Sequence, residues 1–202
     1  AMQARFLKPV YDGGDATLEA TEGGEDALLL ALSSRGEACA TGRAYRKAAS
    51  PSLDIPETGA RPDQQNRPPA SMESLPVGAV LGFNVEPYTA DIGREHLADT
   101  RQDPALFDDG SIANPAWLLR RANYILAENV TLGPWIHSES DIRLHRLVRD
   151  GDTIDVRARV ADNFERKGHL IVALNFAILV GDEPAMTGRH VAIYQPRQVG
   201  AG

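Results

Sequence analysis

Five histidines are spread along this 202-residue chain, and their spacing limits what they can do. No two of them stand at i, i+2 or i, i+4, the spacings by which one strand or helix presents a pair of imidazoles to a metal, so no metal site is expected. Cys39 is the only cysteine, which excludes an intrachain disulfide and any cysteine-based metal site; in its apolar run it reads as a small core residue. His137 is the best placed histidine for acid–base work, because Glu139 and Asp141 follow it and either could orient its imidazole. The plain alternative is a half-buried strand histidine bonded to backbone. Carboxylates gather at Asp99, Asp103, Asp108 and Asp109 in a polar loop over 99–113, where such groups are most often simply solvated.

The element that must position these groups is the stretch 114–129. Asn114 can cap a helix, and Pro115 fits its first position, where a missing N–H costs nothing. Trp117, Leu118, Tyr124, Ile125 and Val130 recur near helical spacing and predict a wide apolar face. That helix should bury Trp117, Leu118, Ile125 and Leu126 on a sheet face that includes Val156, Ala158, Val160, Ile171, Ala173 and Leu174. Gly133-Pro134 ends it, and a strand-like segment begins at Trp135. Further strands are expected over 80–89, 142–148, 153–163, 170–180 and 184–194, with a short helical piece over 92–98.

The first half carries strand signals around 6–11, 16–20, 27–32 and 38–45, with turns at Asp12-Gly13 and Arg35-Gly36. Prolines 51, 56, 62, 68, 69 and 76 then mark 47–79 as an extended linker. An internal repeat ties the halves together. Val10-Tyr11-Asp12-Gly13 matches Val148-Arg149-Asp150-Gly151, and Thr41-Gly42-Arg43 matches Thr187-Gly188-Arg189, in the same order. Chance recurrence of turn residues is the competing explanation. A true repeat would make the first half a copy without its helix, which would then come from upstream of Met2 or from another chain.

A net charge of −7 with no basic stripe argues against a nucleic-acid surface. No apolar run reaches the length of a membrane span and no signal-peptide pattern opens the chain, so a cytoplasmic protein is the expectation.

Four stretches, 114–119 (NPAWLL), 132–137 (LGPWIH), 165–169 (ERKGH) and 189–194 (RHVAIY), resemble the MaoC-like double hot-dog proteins, relatives of acyl-CoA hydratases and dehydratases. The resemblance covers 81–197 well and 6–46 more weakly. It implies an α+β hot-dog fold, a long central helix wrapped by an antiparallel sheet, with a complete unit over 80–197 and a partial unit of strands only over 5–46. It also implies an acyl-CoA or acyl-carrier thioester as ligand, no separate cofactor, and a homodimer or higher homo-oligomer.

Hydration of an unsaturated thioester needs a polarised carbonyl and an activated water. Backbone N–H groups of Ala116, Trp117 and Leu118, at the start of the helix capped by Asn114, could bind the thioester oxygen; the alternative is that the cap already satisfies them. Arg166 and Lys167, at a hairpin tip, could meet CoA phosphates or stand as a solvated turn. The hydratase motif Asp-x-Asn-Pro-x-His has its nearest match at 101–106, where Arg101 replaces the Asp, Asp103 the Asn and Leu106 the His. The dyad is therefore degenerate, and Asp99, Asp103 and His137 are the remaining catalytic candidates. Three functions follow from the resemblance: an acyl-thioester protein with hydratase or dehydratase chemistry, a hot-dog acyl-CoA thioesterase using a loop carboxylate, or a non-catalytic subunit or acyl-binding module.

Overall fold

The computed structural model describes residues 1–24, 26–46, 48, 53–100, 105–107 and 109–197. In chain order come β1 (Met2–Phe6), β2 (Thr17–Glu22), β3 (Ala27–Ser34), β4 (Glu37–Tyr45), β5 (Val80–Leu81), β6 (Glu86–Pro87), α1 (Ala90–Thr100), α2 (Pro115–Asn129), β7 (Ile136–Leu144), β8 (Thr153–Arg166), β9 (His169–Val180) and β10 (Glu183–Gln195). All ten strands belong to one sheet, in the order β2-β3-β4-β1-β7-β10-β9-β8-β5, with β6 also on β8. The named strand pairs are antiparallel.

This order reads as two copies of one four-strand pattern, β2-β3-β4-β1 and β8-β9-β10-β7, joined back to back at β1 and β7. The registers agree in detail. Ala4 pairs with Gly42, as Ile142 pairs with Gly188; Leu30 lies opposite Gly42, as Phe176 lies opposite Gly188. At the join Gln3 faces Asp141, with Met2–Ile142 on one side and Ala4–Ser140 on the other, so a local two-fold runs through the Gln3–Asp141 pair. The repeat read from Asp-Gly and Thr-Gly-Arg therefore has a counterpart in strand order and register.

The two copies differ in what covers them. Around α2, Trp117, Leu118, Ala122, Ile125 and Leu126 are buried and join Val156, Val160, Leu174, Phe176 and Ile178 in one core. Cross-strand partners share a face, so Leu18 stands where Val156 does and Leu28 where Leu174 does. Val156 and Leu174 are 2% and 0% exposed, whereas Leu18 and Leu28 are 68% and 47% exposed. Both helices lie in the second half, and every residue of β2 is exposed.

Several expectations need correction. The predicted strand over 80–89 is broken into β5 and β6, each of two residues on β8, because the chain leaves the ladder around Gly82, whose position against the Ala60 backbone leaves no room for a Cβ. The stretch after Gly133-Pro134 and the strand expected over 142–148 are one element, β7, which ends at Leu144. Ile171 and Ala173 do not share the helix-facing side with Leu174. Ile171 pairs with Phe164 and Ile193, and Ala173 with Asp162 and Val191, on the opposite face. The proline-rich segment, as far as it is described, is bound to the domain: Leu75 is fully buried, its carbonyl accepts from Asn163 Nδ2 at 2.9 Å, and Pro69 and Gly59 bridge to Thr131 and Gly82.

Candidate functional site

His137 sits at the start of β7, where a bulge between Val191 and Ala192 shifts the pairing with β10. Its Nε2 lies 2.7 Å from Ser140 Oγ and 3.2 Å from the Glu139 carbonyl oxygen. A carbonyl only accepts, so the proton belongs on Nε2, leaving Nδ1 as the basic nitrogen. Burial lowers the pKa of this imidazole, with the Glu139 backbone contact opposing, so the neutral form dominates at neutral pH. Glu139 thus touches His137 through its backbone rather than its carboxylate, and the Asp141 carboxylate accepts from Gln3 Nε2 on the other face. Neither acid orients the imidazole through its side chain; Ser140 does.

Two aromatic neighbours complete the setting. The His190 ring is centred 4.2 Å from that of His137, and the Phe6 ring 4.8 Å from it on β1. His190 is fully buried, neither ring nitrogen has a hydrogen-bond partner among the described residues, and burial followed by His137 lowers its pKa to about 3. Beside His137 opens a cavity of about 390 Å³ lined by Phe6, Leu7, Lys8, Pro9, Val10, Leu32, Cys39, Ala40 and Ile136. It draws on both repeats and is largely apolar in its lining side chains.

The helix start lies elsewhere. Ala113 N–H is bound to the Val148 carbonyl beyond the far end of β7, and from His137 to Leu144 alone a strand covers about 23 Å. The N–H of Ala116 donates to Asn114 Oδ1 at 2.9 Å, and those of Trp117 and Leu118 donate to the Asn114 carbonyl at 2.9 and 3.3 Å. Asn114 is thus a helix cap that occupies the donors expected to bind a thioester oxygen, and Trp117 and Leu118 are core residues.

Asp99 is exposed on α1, at a cleft of about 300 Å³ shared with Glu95, His96, Trp117, Arg120, Arg121 and Tyr124. The structure does not bring it to His137. Asp103 and Asp108 lie outside the described residues. Arg166 ends β8 and Lys167 stands in the exposed β8–β9 turn, and both border a groove of about 610 Å³ on the sheet face away from α2. Arg5, Arg189 and His169 also line that groove, which meets the apolar cavity at Phe6 and Leu7.

Sequence reasoning passed over His190, Ser140, Phe6 and Arg5. His190 was within reach, because strand alternation puts it on one face with Ala192 and Tyr194. Phe6 was not, since its approach to His137 depends on β1 pairing with β7 across more than 130 residues of chain.

The chain has the hot-dog fold. A monoamine oxidase regulatory protein from Archaeoglobus superimposes with a TM-score of 0.52 at 18% identity, over 65% of this chain and 98% of its own. An (R)-hydratase from A. caviae involved in PHA biosynthesis gives 0.49 at 20% identity, over 61% and 99%. A MaoC-like dehydratase from Rhodospirillum rubrum gives 0.47 at 16% identity, over 63% and 98%. No family model and no curated protein matches the sequence.

Proposed function

We propose that the protein binds an acyl thioester, with the acyl chain in the apolar cavity at the β1–β7 join and the thioester near His137. The observation that carries this reading is the cavity itself: a mostly apolar space of about 390 Å³ whose lining includes one half-buried imidazole, its pKa lowered by burial. Such a space suits an acyl chain, and Nδ1 of His137 is the group that could accept a proton from water.

Hydratase or dehydratase chemistry is the reaction class the resemblance suggests, and His137 would be its base. Among the described residues no carboxylate side chain contacts that imidazole, so stabilisation of the imidazolium is weak and slow turnover is expected. The uncovered Leu18 and Leu28 support a further part of the reading, a homodimer in which this face is buried. Asn114, Ala116, Trp117 and Leu118 have no ligand role in this reading.

The test is to titrate the protein with crotonyl-CoA and longer acyl-CoAs while following enoyl absorbance and thiol release. Saturable binding with slow hydration supports the reading, and thiol release would favour a thioesterase. Absence of saturable binding for every acyl chain overturns it.

A further inference from the structure

We infer that the cleft between α1 and α2 is a second binding site, for a zwitterionic small molecule of the class of an α-amino acid with an apolar side chain. It is independent of the acyl-thioester reading, because the cleft and the cavity at His137 share no lining residue. The group that points to a ligand is His96 on α1. It lines the cleft and is only 5% exposed, yet neither ring nitrogen has a hydrogen-bond partner among the described residues. Burial first, then the charges of Arg120 and Arg121, lower its pKa, with Asp99 opposing, so the ring is neutral at neutral pH and holds one N–H and one bare nitrogen. A buried donor and acceptor left unmade are costly, and a molecule entering the cleft would satisfy both. No three metal-ligating side chains gather among the described residues, and two arginines border the ring, so the ligand is organic rather than a metal ion.

The walls of the cleft are divided by charge. α1 contributes Glu95 and Asp99, which stand one helical turn apart, and α2 contributes Arg120 and Arg121. Arg121 is already committed: it ion-pairs with Glu86, and its guanidinium lies 3.8 Å over the Trp117 ring. Arg120 is turned toward Tyr124, 5.5 Å from that ring's centre. Among the described residues Arg120, Glu95 and Asp99 lie in no ion pair, although all three border the same cleft. Opposite charges held apart on facing walls suit a molecule that carries both signs. Its carboxylate accepts from Arg120 and the imidazole N–H, and its ammonium donates to Glu95, Asp99 and the bare imidazole nitrogen. Ile92, Trp117 and Tyr124 supply apolar surface for the side chain, and a volume of about 300 Å³ admits one small molecule.

The experiment titrates the full chain by calorimetry with L-phenylalanine and L-leucine, which carry both charges, with phenylpropionate, which keeps only the carboxylate, and with phenylethylamine, which keeps only the ammonium. At least one amino acid is expected to bind saturably, and phenylalanine at least about tenfold tighter than either of its fragments. Arg120→Gln and the double variant Glu95→Gln/Asp99→Asn change exposed positions, and thermal melting checks that both fold. Each should weaken amino-acid binding about tenfold, the first sparing phenylethylamine and the second sparing phenylpropionate. His96→Phe removes the two partnerless nitrogens, so it should abolish binding while raising the melting temperature. Equal affinity for phenylalanine and phenylpropionate would make the cleft a plain anion site, and equal affinity for phenylalanine and phenylethylamine a plain cation site; either overturns the inference. Absence of saturable binding by both amino acids overturns it as well, leaving the charged walls as solvated helix faces. Amino-acid binding that persists in His96→Phe places the ligand outside this cleft and has the same effect.

Discussion

Gln3 and Asp141 face each other across the centre of the sheet, the amide Nε2 donating to Asp141 Oδ2 at 2.9 Å, and each is the repeat equivalent of the other. Their backbone carbonyls have equivalent neighbours as well. A Cβ added at Gly42 would lie 3.0 Å from Gln3 O, and one added at Gly188 would lie 2.5 Å from Asp141 O. The repeat therefore keeps glycine for close packing at a join between strands.

That contrast sets a first prediction. Gly188→Ala also meets the Phe176 ring at 2.9 Å and should destabilise by about 1–3 kcal/mol or more. Gly42→Ala, with Leu30 at ordinary contact distance, should cost clearly less. Urea midpoints of the two variants are the measurement, and equal losses would contradict the packing described at Gly188.

Leu174 and Leu28 occupy equivalent places with opposite exposure. Leu174→Ala should cost about 2–5 kcal/mol as a core deletion. If the bare leucine face is a dimer contact, Leu28→Lys should shift sedimentation from dimer toward monomer at micromolar concentration. A wild-type protein that sediments as a monomer throughout would show the face to be uncovered.

His190 should make stability depend on acid. An unfolded histidine titrates near 6.5 and the folded one near 3, so between these values the unfolded state binds more protons and stability rises with pH. The contribution is complete above about pH 6.5 and is lost as pH falls toward 3, on the order of 3–5 kcal/mol in all. The lowered pKa of His137 acts in the same direction. His190→Phe should flatten the fall measured by denaturation at pH 7, 5.5 and 4.5; an unchanged slope would place the acid sensitivity elsewhere.

Asn114→Ala tests the helix start. Losing the side-chain cap should cost about 0.5–2 kcal/mol. Crotonyl-CoA affinity should stay the same, because the N–H groups there serve the helix. A large loss of affinity at unchanged stability would return the thioester to the α2 N-terminus.

The central helix was legible almost to the residue, because Asn114, Pro115 and the spacing of Trp117, Leu118 and Ile125 all act within a few turns of chain. The β8–β9–β10 meander was legible for a similar reason, alternation interrupted by Gly151, Gly168 and Gly181 at positive φ. The site was legible only through His137. Its orientation by Ser140, its stacking on His190 and its contact with Phe6 depend on a strand bulge and on the β1–β7 pairing, which local patterns do not encode. The two faces of β9 were confused at Ala173 and Leu174 because both are buried, one under α2 and one beneath the outer-face side chains.

The join between β1 and β7 also shapes how the chain reaches this state. Its contacts link residues 138 apart in sequence, as at Gln3 and Asp141, and such distant pairings slow folding because a long loop must close first. During synthesis at about 5–20 residues per second, β1 waits roughly 7–28 s for its partner strand to be made. Through that interval β1 presents an open edge beside leucines with no cover. Yield in the cell should therefore depend on chaperone capacity and temperature more than the stability of the finished protein suggests.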